Sequence, residues 1–311
     1  MKKLLLVDGN AVLHRAYHAL PDWRNRNGEA TAGVYGFLSM LLGAIEQLKP
    51  SHLAIVFDTP APTFRHNMYV GYQSNREKDR QISEDIWGQV EKLKIVFEKL
   101  GVPVYTLPGF EADDVIGTLS LQVSNSKNQT DTIIITGDKD LMQLVDEHTF
   151  LFMPQRGLSD NVLVDEAKVI EKLGVHPNQV IDFKALVGDS SDNYPGVTGI
   201  GPKTAIHLLA EYDSFENVYK QITNNQDLIT NQIPKSQIMK LMQGYEGGRL
   251  SKELATIRRD APITFNVENC TLPIKQKFTD VFRELNYRSL ASRSSGVKEE
   301  KNKNQVGLFD L

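Results

Sequence analysis

The chain has 311 residues, 41% hydrophobic and 24% charged, as in a globular protein with one large domain and room for a smaller one. No apolar run reaches transmembrane length, and the opening "MKKLLLVDGN" meets Asp8 too early for a signal-peptide core, so a cytoplasmic protein without membrane contact is expected. The single cysteine, Cys270, excludes an internal disulfide and a cysteine zinc site, and the formal charge of −4 argues only weakly against a nucleic-acid partner, because its distribution matters more than its sum.

Short apolar or β-branched runs come first: "KLLLVD" (3–8), "HLAIVFD" (52–58), "VPVYTL" (102–107), "TIIITGD" (132–138) and "TFLFMP" (149–154). Helical patterns separate them at 34–48, 84–100 and 114–123. Near-continuous apolar strands alternating with helices predict an α/β fold, with a mostly parallel sheet covered on both faces. Ligands of such sheets bind beyond the carboxyl ends of the strands. Those ends carry acids. The first strand ends at Asp8 and the second at Asp58; the third runs through "LPGF" into Glu111, Asp113 and Asp114; the fourth ends at Asp138, with Asp140 two residues on. One acid at a helix start is an ordinary cap. Seven delivered to one sheet edge require a further reason.

From about residue 165 the pattern is mostly helical: 165–174, 177–188, 202–212, 235–245, 250–260 and 274–287. The bridge "GDSSDNYPGVTGIGPKTA" (188–205) adds Asp189 and Asp192, then a turn rich in glycine. Pro202 fits a first helical turn, and Lys203 adds a cation where a helix start offers N–H groups to phosphate. Such a turn resembles a helix–hairpin–helix element, which grips a duplex backbone without reading sequence. The polar run 292–305 reads as a disordered tail.

Nine acids stand out in all. Gathered without cations they repel strongly, about 4 kcal/mol for two charges 4 Å apart at an effective dielectric near 20. Oxygen ligands without His or Cys suit Mg²⁺ or Mn²⁺. Two such ions roughly 3.5–4 Å apart are the usual arrangement for phosphodiester hydrolysis. A structural calcium site would draw its ligands from one compact loop, whereas these span residues 8 to 192. With the nine set aside, the other 30 acids face 35 Lys plus Arg, which leaves room for a nucleic-acid partner.

"LLLVDGN", "VFDTPAPTFRH", "GFEADDVIGTL", "TGDKDLMQLV" and "KALVGDSSDNYPGVTGIGPKTA" resemble the signature blocks of the 5′-nuclease, or flap endonuclease, superfamily, with particular likeness to the 5′-3′ exonuclease domain of bacterial DNA polymerase I. The resemblance covers roughly residues 1–290. It implies an α/β catalytic core over 1–175, a helical arch at about 64–100, a helical subdomain over 176–290 and a tail over 291–311. It places Asp8, Asp58, Glu111, Asp113 and Asp114 around a first metal, and Asp138, Asp140, Asp189 and Asp192 toward a second. It assigns DNA binding to Gly196, Gly199, Gly201, Lys203 and Thr204, with K⁺ held by carbonyls of that turn. No polymerase segment follows, so a stand-alone nuclease is expected. In the arch the family shows Tyr-Lys-x-x-Arg, and this chain has Tyr72, Gln73 and Arg76. The resemblance implies Arg65, Tyr72 and Arg76 as catalytic residues and Gln73, Lys78 and Arg80 as DNA contacts; Arg65, Lys78 or Arg80 would offset the missing lysine, and Tyr69 and Tyr72 either stack on bases or pack inward.

The implied activity is a Mg²⁺-dependent, monomeric 5′ nuclease of the bacterial cytoplasm, working at the nucleoid. It would cut duplex DNA at 5′ flaps, nicks and ends, and RNA primers in RNA:DNA hybrids, leaving 5′-phosphate and 3′-hydroxyl ends. The alternatives are a catalytically weakened DNA-binding module and an RNA-directed nuclease. At the terminus "QVGLF" resembles the bacterial sliding-clamp-binding motif, with Gln305, Leu308 and Phe309 as its contacts.

Overall fold

The computed structural model describes residues 2–25, 27–74, 80–126, 130–155, 160–224 and 234–295. Strand β1 (Lys2–Asp8) lies at the centre of the sheet and is buried on both faces from Leu4 to Val7. It is flanked by β2 (His52–Val56) and β4 (Thr130–Ile135); β3 (Val104–Tyr105) lies outside β2, and β5 (Thr149–Pro154) outside β4. All these pairings are parallel, as expected of strands apolar on both faces. A sixth strand, β6 (Asn161–Val164), closes the edge antiparallel to β5.

Alternation along the strands divides the core. Leu5, Val7, Leu53, Ile55, Ile133 and Ile135 point to one side. There they meet α1 (Gly9–Ala19), α2 (Ala32–Leu48) and, after the short α3 (Phe64–Met68), α4 (Arg80–Leu100). Leu4, Leu6, Ala54, Val56, Ile134 and Leu151 point to the other, onto α5 (Ala112–Ser124). The same apolar cluster runs on into the helical region: α6 (Glu166–Leu173), α7 (Val180–Val187), α8 (Pro202–Tyr212), α9 (Phe215–Asn224) and α10 (Lys235–Ala255).

Three expectations need correcting. The patterns at 235–245 and 250–260 belong to one helix, α10, which stops at Ala255, so residues 256–260 are not helical. After α11 (Lys275–Glu284) comes α12 (Arg288–Ser295), in which Leu290 and Ala291 are buried and the Ser294 hydroxyl meets that of Thr279 at 2.9 Å. Residues 291–295 of the expected tail are therefore helical. Finally, Val90, Leu93, Val96 and Phe97 of α4 sit in the core, so the second half of the stretch assigned to an arch is a core helix. No helix among the described residues is long and apolar enough to cross a membrane.

Candidate active site

The sheet order puts β2, β1 and β4 side by side, so Asp58, Asp8 and Asp138 emerge next to one another at the carboxyl edge. Each is fixed locally. Asp8 caps α1, accepting from the Ala11 amide at 3.0 Å and the Thr136 hydroxyl at 2.7 Å. Asp58 accepts from the Ala112 amide at 2.7 Å, while its own N–H donates to Asn10 Oδ1 at 2.9 Å. Asp138 accepts from the Asp140 amide at 2.8 Å. Asn10 and Thr136 are positioning residues that the sequence reading passed over, although both stand inside its quoted motifs.

Glu111 caps α5 and receives Tyr72 Oη at 3.2 Å, Arg65 Nη1 at 3.1 Å and the Thr63 hydroxyl at 3.3 Å. Asp192 comes from the bridge before α8 and also receives Tyr72 Oη, at 3.3 Å. Glu111, Asp113, Asp8, Asp58, Asp138 and Asp192 thus line one cleft of about 750 Å³. A second cleft of about 770 Å³ adjoins it at Ala11, His14 and Asp138 and holds Asp140 and Asp189. Lys184, on α7, reaches both of those carboxylates.

Burial raises these acids first, and mutual repulsion adds to it. Asp8 is pushed up to about 7 by burial, with Asp58 and Asp138 adding to the rise. Glu111 rises to about 7 by burial, against the pull of Arg65. Asp140 rises to about 7 by burial and Asp138, against Lys184. Asp113 is held well above the usual carboxylate range by burial and then by Asp138, Asp8, Glu111 and Asp58. Asp189 is the exception: burial would raise it, but Lys184 and Ser191 hold it low.

Asp114 departs from the expected ligand set. It is fully buried and lines neither cleft. Its two oxygens take Arg65 Nη1 at 2.7 Å and Nη2 at 2.8 Å, with the Arg258 amide at 2.8 Å and the Glu111 amide at 3.1 Å. Arg65 is correspondingly 2% exposed, and its remaining N–H groups donate to the carbonyls of Leu254 and Thr256, both at 2.8 Å. It cannot reach a substrate in place of the missing arch lysine. Tyr72, 4% exposed, packs inward with Tyr194 and Leu254 instead of offering a stacking face.

Gln73 lines the first cleft, in the left-handed region at φ 53°, and its amide donates to the Asp192 carbonyl at 2.9 Å. Asn193 pins the same segment by donating to Gly71 O and Ser74 Oγ, each at 2.8 Å. Arg76 and Lys78 lie outside the described residues, as do Gln305, Leu308 and Phe309; of Arg80 only the backbone is described.

Past Asp192 the chain makes its glycine turn. Gly196 is buried at φ 60°, and a Cβ there would lie 2.2 Å from Gly188 N, so it holds the turn closed and offers no surface to a duplex. Gly199 (φ 83°), Gly201 and Lys203 are exposed, Thr204 is partly so, and Gly201 caps α8 with Pro202 next.

Among the described residues, no three His, Cys, Asp or Glu side chains converge closely enough to hold an ion as they stand, and Lys184, Arg65 and backbone amides contact several of the carboxylate oxygens. The donor set nonetheless fits a hard divalent cation. The cleft-lining acids supply only carboxylate oxygen, and four of them are held above the carboxylate range by burial and one another. The buried hydroxyls of Thr59, in the first cleft, and Tyr194, near Asp140, Asp189 and Asp192, have no hydrogen-bond partner.

The chain is similar to known proteins along most of its length. Residues 3–174 match the family described as "5′-3′ exonuclease, N-terminal resolvase-like domain", and residues 175–277 match "5′-3′ exonuclease, C-terminal SAM fold". DNA polymerase I of Bacillus caldotenax is 36% identical over 97% of this chain, and that of Bacillus subtilis (strain 168) is 37% identical over 94%. The chain spans about a third of the length of these relatives. Among solved structures, the fold matches a bacteriophage T5 flap endonuclease in a pseudo-enzyme-product complex with DNA and metal ions, at TM-score 0.67 and 17% identity, covering 95% of this chain and 98% of that one. It also matches the catalytic core of Rad2 in complex with DNA substrate, at TM-score 0.57 and 17% identity, covering 95% and 91%. With both family regions in order along residues 3–277, the chain belongs to the 5′-3′ exonuclease family.

Proposed function

We propose that this chain is a divalent-metal-dependent 5′ nuclease that hydrolyses phosphodiesters at 5′ flaps, nicks and ends of duplex DNA. The observation that carries this reading is the convergence of Asp8, Asp58 and Asp138 from three adjacent strand ends, with Glu111, Asp113 and Asp192 brought to the same cleft. Asp8, Asp58, Glu111, Asp113, Asp138 and Asp192 would hold one cation group, and Asp140 and Asp189 would extend it into the second cleft. Bound divalent ions would supply Lewis acidity and charge neutralisation at the scissile phosphate. Mg²⁺ is the favoured ion, and Mn²⁺ fits the same oxygens.

The residues of the chain do the rest. Arg65 and Tyr72 orient Glu111, Thr136 and the Ala11 amide orient Asp8, and Asn10 and the Ala112 amide orient Asp58. Gly199, Gly201, Lys203 and the α8 N-terminus would grip the duplex backbone, with K⁺ as a further bridge to the turn carbonyls. The family resemblance of the sequence extends the proposal to RNA primers in RNA:DNA hybrids, and the terminal "QVGLF" extends it to a sliding clamp.

The test is cleavage of a 5′-labelled flap duplex and of single-stranded RNA, each with Mg²⁺ and with a chelator. Cleavage of the flap in Mg²⁺ alone, with RNA untouched, supports the reading; binding of flap DNA without cleavage in either condition favours a DNA-binding module; equal cleavage of RNA favours an RNA-directed nuclease.

A further inference from the structure

Lys184 bridges Asp140 and Asp189, the two acids of the second cleft, and no motif assigned it a role. It rises from the last turn of α7 and its ammonium donates to Asp140 Oδ1 and Asp189 Oδ2. Both carboxylates sit on fixed backbone. The Asp140 amide is tied to Asp138, and Asp189 and Tyr194 exchange both backbone hydrogen bonds, at 2.9 and 3.0 Å. The other oxygen of Asp189 already accepts from the Ser191 amide and hydroxyl and, at 3.4 Å, from the Asp192 amide. Of the three partners, only the lysine has a long flexible stem.

A divalent cation bound by Asp140 and Asp189 needs the oxygens that the ammonium now occupies, at a metal–oxygen distance of about 2.0–2.1 Å for Mg²⁺. An ammonium and a divalent ion cannot both sit between the same two carboxylates, because like charges at such a separation repel strongly in a part-buried site. Taking up the ion therefore moves Lys184 and little else. The lysine lines the second cleft, as do Arg15 and Lys139, and a displaced ammonium would turn into that cleft.

We propose that Lys184 is the resident counter-ion of Asp140 and Asp189, and that its ammonium must withdraw before a divalent cation can take this pair. It sets the affinity of the outer half of the cluster, leaving the half around Asp8, Asp58 and Asp113 to load first. This inference rests on the metal-dependent reading of the site.

The test uses the full chain without DNA, with Mn²⁺ as probe and the free ion counted by electron paramagnetic resonance. The wild type is expected to show a tighter and a weaker class of site. Lys184→Met, which keeps the stem and removes the charge, tightens the weaker class by about ten-fold; Lys184→Arg, which keeps the charge, does not tighten it. A folded Lys184→Met protein whose weaker class is unchanged or weaker overturns the role of Lys184 while leaving the metal-dependent reading intact. A wild type that binds no Mn²⁺ at millimolar concentration overturns both. Amine acylation read by mass spectrometry needs no variant: Lys184 is protected in chelator and becomes several-fold more reactive in saturating Ca²⁺. Equal reactivity in the two conditions overturns the proposal even if Lys184→Met does not fold.

Discussion

Arg65 and Asp114 form a bidentate ion pair, at 2.7 and 2.8 Å, that is shut off from solvent behind the acid cluster. Asp113, one residue earlier, faces the cleft. Two neighbouring acids of one helix turn thus do different work, and their asparagine variants separate it. Asp114→Asn removes the bidentate partner of the buried guanidinium and leaves it only Glu111, and should cost about 3 kcal/mol in denaturant unfolding. Asp113→Asn should fold normally and lose flap cleavage by several orders of magnitude. Equal stability of Asp114→Asn and the wild type would show that the pair is not structural.

How much of this was legible beforehand depends on where the partner of each residue lies. Strand-end acids announce themselves, since an apolar run followed by Asp needs only local reading, and the glycine turn is likewise local. Asp114 did not, because its partner is 49 residues away and successive helical residues differ in direction by about 100°. A helix start carrying Asp113 and Asp114 points one into the cleft and the other inward, and the sequence alone does not say which. Strand β6 escaped because four residues at a sheet edge carry too short an alternation, and α12 because its polar residues outnumber the few that anchor it.

The metal-free protein should lose stability as pH rises. Asp8 ordinarily titrates at 3.8 and Glu111 at 4.5; both are near 7 in the fold, as is Asp140. A folded pKa above the unfolded one means the native state binds more protons across that window, so the stability these groups contribute is full below about pH 4 and lost as pH passes 7. Thermal unfolding in chelator should show Tm falling by about 5–10 °C between pH 5.5 and 8. Ca²⁺ should remove most of that slope. A chelator profile that is flat or rises over this range contradicts the arrangement.

Gln73 lies where its family resemblance calls for lysine, and it lines the cleft. Gln73→Lys should raise single-turnover cleavage of a 5′ flap about ten-fold, by setting a cation beside the developing phosphate charge. The left-handed backbone there tolerates lysine as it does glutamine, so folding should not change. An unchanged or slower rate would mean that other cations already fill the place.

Lys203 is exposed at the start of α8, beside the glycine turn. Lys203→Ala should weaken binding to flap DNA of any sequence and reduce the salt slope by roughly one phosphate contact. Weakening confined to certain sequences would point to base reading instead.

A peptide of residues 298–311 should bind a bacterial sliding clamp weakly, as short motifs do. Changing Leu308 and Phe309 together to alanine should abolish that binding and leave cleavage of free flap DNA unchanged. No heat of binding at high micromolar peptide would remove the clamp from the partners.

The matched family regions meet between residues 174 and 175, yet the hydrogen bonds behind the acids disregard that border. Arg65 leans on carbonyls of Leu254 and Thr256, Asp114 takes the Arg258 amide, and Gln143 exchanges hydrogen bonds with Ala255 and Ile257. The last turn of α10 and the strand of chain after it therefore act as a backplate for a site whose own residues all come earlier in the sequence. A fragment that stops short of this backplate would keep every acid of the cleft and still lose the posture of Glu111. Shortening the chain disables the cluster from the rear.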